Sequence, residues 1–139
     1  MAKLSDEPKT PPIIRVTEPS GAQLDYHFNH QWLATQVQRI GANNKPHHLG
    51  RREWDRDGNL LADTDAAGHT TRYAYDSRGN LTHITNALGH TTRITLDAHN
   101  QPVAVHDALG HTQWRHYDAA GRISHTSDAL GRTTIYRYD

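Results

Sequence analysis

Nine acidic or amide residues recur along this chain at alternating steps of 10 and 11: Asp55, Asp65, Asp76, Asn86, Asp97, Asp107, Asp118, Asp128 and Asp139. The full repeat is therefore 21 residues. A period of this kind usually defines the whole architecture, because each copy must bury its apolar face against its neighbours. Eight of the nine open a four-residue motif closed by Gly58, Gly68, Gly79, Gly89, Asn100, Gly110, Gly121 or Gly131. Asp or Asn in first place accepts hydrogen bonds from backbone N–H groups further along a turn. Glycine in fourth place supplies the positive φ that ends a type I turn in a bulge and returns the chain as a hairpin. Asn100 is the informative exception, since Asn best tolerates that backbone region after Gly.

The segments between turns, such as Thr70 to Tyr75 and Asn80 to Thr85, are short and rich in Thr, Tyr, Ile and Val. They read as strands. The expected fold is an all-β antiparallel hairpin ribbon. Leu, Ile, Val and Phe make up only 23 of 139 residues, which predicts a thin core. The formal net charge is zero, so the self-repulsion that accompanies disorder is missing. Balanced charge gives no long-range attraction for nucleic acid. No apolar run is long enough for a helical membrane span. The opening Met1-Ala2-Lys3-Leu4-Ser5-Asp6-Glu7-Pro8 has no apolar core of a secretory signal. Zero cysteines leave no disulfide or thiol chemistry.

Three regions are expected. Residues 1–12 are a flexible lead-in, and 13–50 hold a divergent first repeat and an insertion. Residues 51–139 form the regular array, which stops where another turn should begin, as a fragment would. In the divergent copy Gly21, Tyr26, Phe28 and Asn29 match Gly68, Tyr73, Tyr75 and Asp76. Leu33 then matches Leu81 with one residue deleted, and 38–50 read as a long loop.

Register follows from the spacing. A three-residue turn between Asp76 and Asn80 sets Tyr75 opposite Leu81. Two such turns would return the chain after about 20 residues and slip against a repeat of 21, so unequal turns of three and four residues are expected. That register gathers an apolar seam of Trp54, Leu60, Tyr75, Leu81, Leu96, Pro102, Tyr117, Ile123 and Tyr138. Tyr73, His83, Ile94, Ala104, Arg115, His125 and Tyr136 would share its face. Arg72, Ile84, Arg93, Val105, Trp114, Thr126 and Ile135 would take the other.

The blocks Trp54-Asp55-Arg56-Asp57-Gly58-Asn59-Leu60, Tyr75-Asp76-Ser77-Arg78-Gly79-Asn80-Leu81 and Tyr117-Asp118-Ala119-Ala120-Gly121-Arg122-Ile123 resemble the Tyr-Asp repeat of the Rhs family. The intervening Asp-Ala-Leu-Gly-His/Arg-Thr-Thr blocks match its other half. The resemblance implies a ribbon that spirals into a shell enclosing a toxin, in bacterial weapons and insecticidal complexes. Such a protein would be cytoplasmic until delivery, then secreted or at the cell surface. Its partners would be further repeats, an enclosed toxin or a secretion-machine component. The chain departs from the pattern at Leu96, where Tyr is usual, and at Pro102. It also lacks the family's self-cleavage region, a toxin domain and enough repeats to close a shell.

The remaining chemistry is weighed against plainer roles. His69, His90 and His111 recur 21 residues apart, or two strands, about 10 Å in a sheet. One zinc holds its nitrogens at about 2 Å, so they cannot share an ion, and no metal or other cofactor is expected. The repeated Asp residues would sit in near-identical surroundings, whereas a catalytic carboxylate pair needs differing ones. Neither a nucleophile elbow nor a phosphate loop is present. The chain is expected to be a structural, non-catalytic segment of a toxin-encapsulating shell. The alternative is a cell-surface or carbohydrate-binding module that uses Trp114 and Tyr73 as ligand contacts. Open strand edges would also favour self-association.

Overall fold

The structure is a computed structural model that describes residues 11 and 13–139. Apart from Pro11, the expected lead-in lies outside the described residues. Twelve strands and no helix occur among the described residues: β1 (Ile14–Thr17), β2 (Gln23–Phe28), β3 (Ala34–Ile40), β4 (Pro46–Trp54), β5 (Leu60–Asp65), β6 (Thr70–Tyr75), β7 (Leu81–Thr85), β8 (Thr91–Leu96), β9 (Pro102–His106), β10 (Thr112–Tyr117), β11 (Ile123–Ser127) and β12 (Thr133–Ile135). The chain divides into two compact units, Met1–Thr70 and Thr71–Asp139. In the first, β1 to β5 pair antiparallel in chain order. In the second, β6 to β12 do the same.

Every connection is the same three-residue turn. The N–H of the first residue donates to the carbonyl of the fifth, and the N–H of the fourth donates to the carbonyl of the first. Asp76 N to Asn80 O is 2.9 Å and Gly79 N to Asp76 O is 3.0 Å; the turn at Asn86 matches at 2.9 and 3.0 Å. The fourth residue has positive φ in each, including Gly79 at 82° and Asn100 at 62°.

Equal turns overturn the expectation of turns of three and four residues. The extra residue is a bulge in the strand after each Tyr-Asp-type turn. Ala74 pairs with His83 and Tyr75 with Leu81, which leaves Thr82 unopposed. Val103 is left over between Pro102 and Ala104 in the same way, as is Ser124 between Ile123 and His125. Leu61 does so in the first unit. A bulge adds one residue to one strand without lengthening its partner, which is how 21 residues fit two equal turns.

The bulge also corrects the assignment of faces. Tyr73 pairs with Ile84, and Ile84 with Thr92. Ile94 pairs with Val105, and Arg115 with Thr126. Ile84, Val105 and Thr126 therefore join the seam face. His83, Ala104 and His125 turn to the other face, where Arg93, Thr95, Trp114 and His116 lie. Thr92, the copy of Thr71, sits in the row of Tyr73. Successive copies thus slip two residues along the strands, about 7 Å.

Two expectations for the first unit also fail. Residues 38–50 are not a long loop: Ile40 pairs with Pro46 across the common turn, with Asn44 at φ 57° in the glycine place. Nor is a residue deleted after Asn29. Trp32 occupies the glycine place at φ 62°, and Ala34, not Leu33, lies opposite Phe28. Trp32 is 60% exposed and contacts the Phe28 ring at 6.1 Å between centroids.

The core is thin. Ala62 and Ala104 are the buried apolar residues among those described, and no large side chain there is fully buried. Seam residues are half-buried, with Tyr138 exposed. Stability rests on ladder hydrogen bonds and cross-strand pairs worth roughly 0.2–1 kcal/mol each.

Candidate functional site

The repeated unit is the site, and it has three parts: a clasp by the Asp or Asn that opens most turns, a bridge between turns, and the seam. In the clasp, Asp76 Oδ1 accepts from the N–H groups of Arg78 and Asn80, both at 2.9 Å, while Oδ2 accepts from Asn80 Nδ2 at 3.1 Å. Asp55 and Asn59 repeat this arrangement. At Asp118 and Asp128 the second oxygen takes Arg122 Nε at 2.9 Å and Arg132 Nε at 2.6 Å. At Asp65 and Asp107 it faces the Nδ1 of His69 and His111, at 3.3 and 2.9 Å. The fifth residue donates its backbone N–H to the first in all eight turns from Asp55 to Asp128, and six of the eight also bring their side chain to it. That rule was legible in the chain, which has Asn, His, Gln or Arg at every such place from Asn59 to Arg132.

These donors hold the carboxylates below the usual range. The Asn59 amide does so first for Asp55, and the His111 ring for Asp107. The backbone N–H of the fifth residue is the leading cause at Asp65, Asp76, Asp97, Asp118 and Asp128. A carboxylate depressed in the folded state stabilises the fold above its unfolded pKa, near 4, and that contribution is lost as pH falls through the folded value. Urea midpoints should therefore be level from neutrality to about pH 5 and fall below about pH 4. Combining Asp76→Asn, Asp97→Asn and Asp118→Asn keeps an oxygen acceptor in each turn and should flatten that fall. An equally steep fall in the triple variant would remove the clasps as its source.

Turns on one edge are also bridged. Asn80 Nδ2 donates to Asn100 Oδ1 at 2.9 Å, and Gln101 Nε2 to the Gly121 carbonyl at 2.9 Å. In the first unit Gln31 Nε2 donates to the Arg56 carbonyl at 2.6 Å. At the turns that lack a bulge, strand ends are tied by paired hydroxyls, Thr64 with Thr70 and Thr85 with Thr91. His106 replaces one hydroxyl opposite Thr112.

At Trp54, Tyr117 and Tyr138 the seam ties a copy to the one before. The Tyr117 hydroxyl donates to the Pro102 carbonyl at 2.7 Å, and that of Tyr138 to Ile123 at 2.8 Å. Trp54 Nε1 reaches the Ala34 carbonyl at 2.8 Å in the same way. The Arg122 guanidinium lies 4.5 Å from the centre of the Tyr138 ring. Tyr73 lies on the seam face opposite Ile84, whereas Trp114 lies on the other face, 46% exposed, with the His106 ring edge-on at 6.2 Å. The two proposed ligand contacts are not brought together. Among the described residues no group of three His, Asp or Glu is placed to hold a metal ion. No helix there is long and apolar enough to cross a membrane.

Recurring clasps, equal turns and seam bonds from one copy to the one before define a β-hairpin repeat protein. The RHS Repeat family model matches residues 54–91, 75–112, 97–133 and 117–139, and the chain belongs to that family. Similar solved structures include the crystal structure of TcdB2-TccC3, at 10% identity and TM-score 0.69, covering 83% of this chain and 6% of that one. TcdB2-TccC3-TEV gives 16% identity and TM-score 0.67 over 88% of this chain and 8% of that one. The Photorhabdus luminescens Tc holotoxin pore gives 11% and 0.57 over 91% and 9%. These likenesses show the fold, and the chain spans less than a tenth of their length. No curated protein sequence matches.

Proposed function

We propose that this chain is a non-catalytic segment of the wall of an Rhs-type shell that encloses a toxin or other cargo. The observation that carries this reading is the seam. The Tyr117 and Tyr138 hydroxyls bind the preceding copy's backbone, which supports copies built to be covered by copies and not to close a core of their own. The mechanism is steric: paired strands with identical turns leave few gaps. The turn residues from Asp55 to Gly131 set the hairpins, and residues 13–50 are the divergent start of the array that continues through 51–139. The partners are further repeats and the enclosed cargo. The protein stays in the cytoplasm until it is delivered outside.

The test is the intact mass of the native product in its source cells, with protease protection of any segment after the repeats. A polypeptide far above 15.7 kDa, with its C-terminal segment resistant until the shell is denatured, is expected. A product of 15.7 kDa would overturn the wall assignment.

A further inference from the structure

Three leucines of the second unit stand almost wholly in solvent: Leu88 is 80% exposed, Leu109 83% and Leu130 79%. Each follows an alanine in the third place of its turn, 21 residues from the next. Those turns join β7 to β8, β9 to β10 and β11 to β12, so all three lie on one edge of the ribbon. The turns of the opposite edge carry Ser77-Arg78, Ala98-His99 and Ala119-Ala120 in the same two places. There the turns are tied to one another, Asn80 to Asn100 and Gln101 to the Gly121 carbonyl. Among the described residues no hydrogen bond joins one leucine turn to the next. Between the last two lies a cleft of about 580 Å³, whose lining includes Val105, His111, Gln113, Ala129 and Leu130.

We propose that this leucine edge docks on the leucine edge of a second copy of the chain, running antiparallel to it. A single exposed leucine is ordinary, but one residue type repeated in one turn position makes an apolar strip along an edge. The occupant has to match the rise of that strip. Leucines two strands apart and slipped two residues stand on the order of 12 Å from each other. A second row of the same rise sets its leucines between those of the first, in the gaps between turns. A surface of any other spacing fills one gap and misses the next. With a two-fold axis each row supplies knobs and gaps at once, and the contact closes at two copies. Charge does not oppose it: Asn86 is neutral, and Asp107 and Asp128 are held within their own turns by His111 at 2.9 Å and Arg132 at 2.6 Å. Three leucines with their alanines would bury on the order of 600 Å² per copy, the lower end for a specific contact. The wall reading packs copies along the ribbon through the seam; this contact runs across it, from turn to turn, and goes beyond that reading.

Sedimentation of the full chain over roughly 1–300 µM should show a reversible dimer. Combining Leu88→Ser, Leu109→Ser and Leu130→Ser should raise its dissociation constant at least about tenfold. Circular dichroism and the melting midpoint at low concentration should hold, because none of the three side chains is packed in the single chain. Ala98→Ser with Ala119→Ser, on the opposite edge, should leave the dimer unchanged. The chain has no cysteine, so Leu109→Cys in air-oxidised samples should link two copies by a disulfide, and faster than Ala119→Cys. A monomer throughout would overturn the proposal, as would association that survives the triple change, the behaviour of paired open strand edges. A chain that stays monomeric while its leucines bind phosphatidylcholine vesicles would overturn it too. None of these results touches the wall assignment, which the mass of the native product decides.

Discussion

Deleting Thr95 should abolish cooperative unfolding of the second unit or destabilise it by at least about 2 kcal/mol, whereas deleting Val103, eight residues on, should cost about 1 kcal/mol or less. Both remove one residue from one hairpin, and Thr95 is the more exposed of the two. Val103 has no partner across the ladder; without it Pro102 still faces Leu96 and Ala104 still faces Thr95. Thr95 is paired. Its loss leaves two repairs: Leu96 and Pro102 turn out of the seam, or every residue after the deletion changes face. Urea unfolding followed by Trp114 fluorescence separates the variants. Equal losses would mean that the bulge does not absorb the odd residue.

The second large effect is expected at the turns. Gly79→Val and Gly121→Val should each cost about 1–3 kcal/mol, because a branched side chain is forced to φ near 80°. Gly41→Val should cost less. Gly41 stands in the first place of its turn, outside the positive-φ set, and a Cβ there would meet only ordinary contacts, the nearest at 3.4 Å. Trp32 supplies the reverse case, since it already bears this strain at 60% exposure. Trp32→Gly should raise the midpoint of the first unit, less what the Phe28 contact contributed. Thermal melts showing equal losses at all three glycines would detach stability from turn conformation.

These substitutions mark what the chain announced and what it concealed. Asp-x-x-Gly was readable because its chemistry is local: the carboxylate binds N–H groups two and four residues on, and glycine answers one backbone angle. The pairs Trp54–Leu60, Tyr75–Leu81, Leu96–Pro102 and Tyr117–Ile123 were readable for the same reason, one turn away from each Asp. The bulges were hidden because Leu61, Thr82, Val103 and Ser124 share a backbone role and no side-chain type. Missing them sent Ile84 and His83 to the wrong faces. The turn after Asn29 was read as one residue short because the large ring of Trp32 gives no hint of positive φ. Gly41-Ala42-Asn43-Asn44-Lys45 looked like a loose insertion because Gly41 stands where Asp usually does. The tyrosine hydroxyl bonds span 15 residues, a distance at which only the folded ladder tells which carbonyl is near.

The unopposed residue in each copy also bears on how such a gene can change length. Unequal crossing-over between copies adds or removes twenty-one codons together and leaves every later side chain on its original face. Loss of a single codon can be taken up where a bulge provides slack, but only once in that copy. A coding array of this kind is therefore free to lengthen and shorten by recombination while remaining intolerant of small slips, so its copy number should drift faster than its spacing.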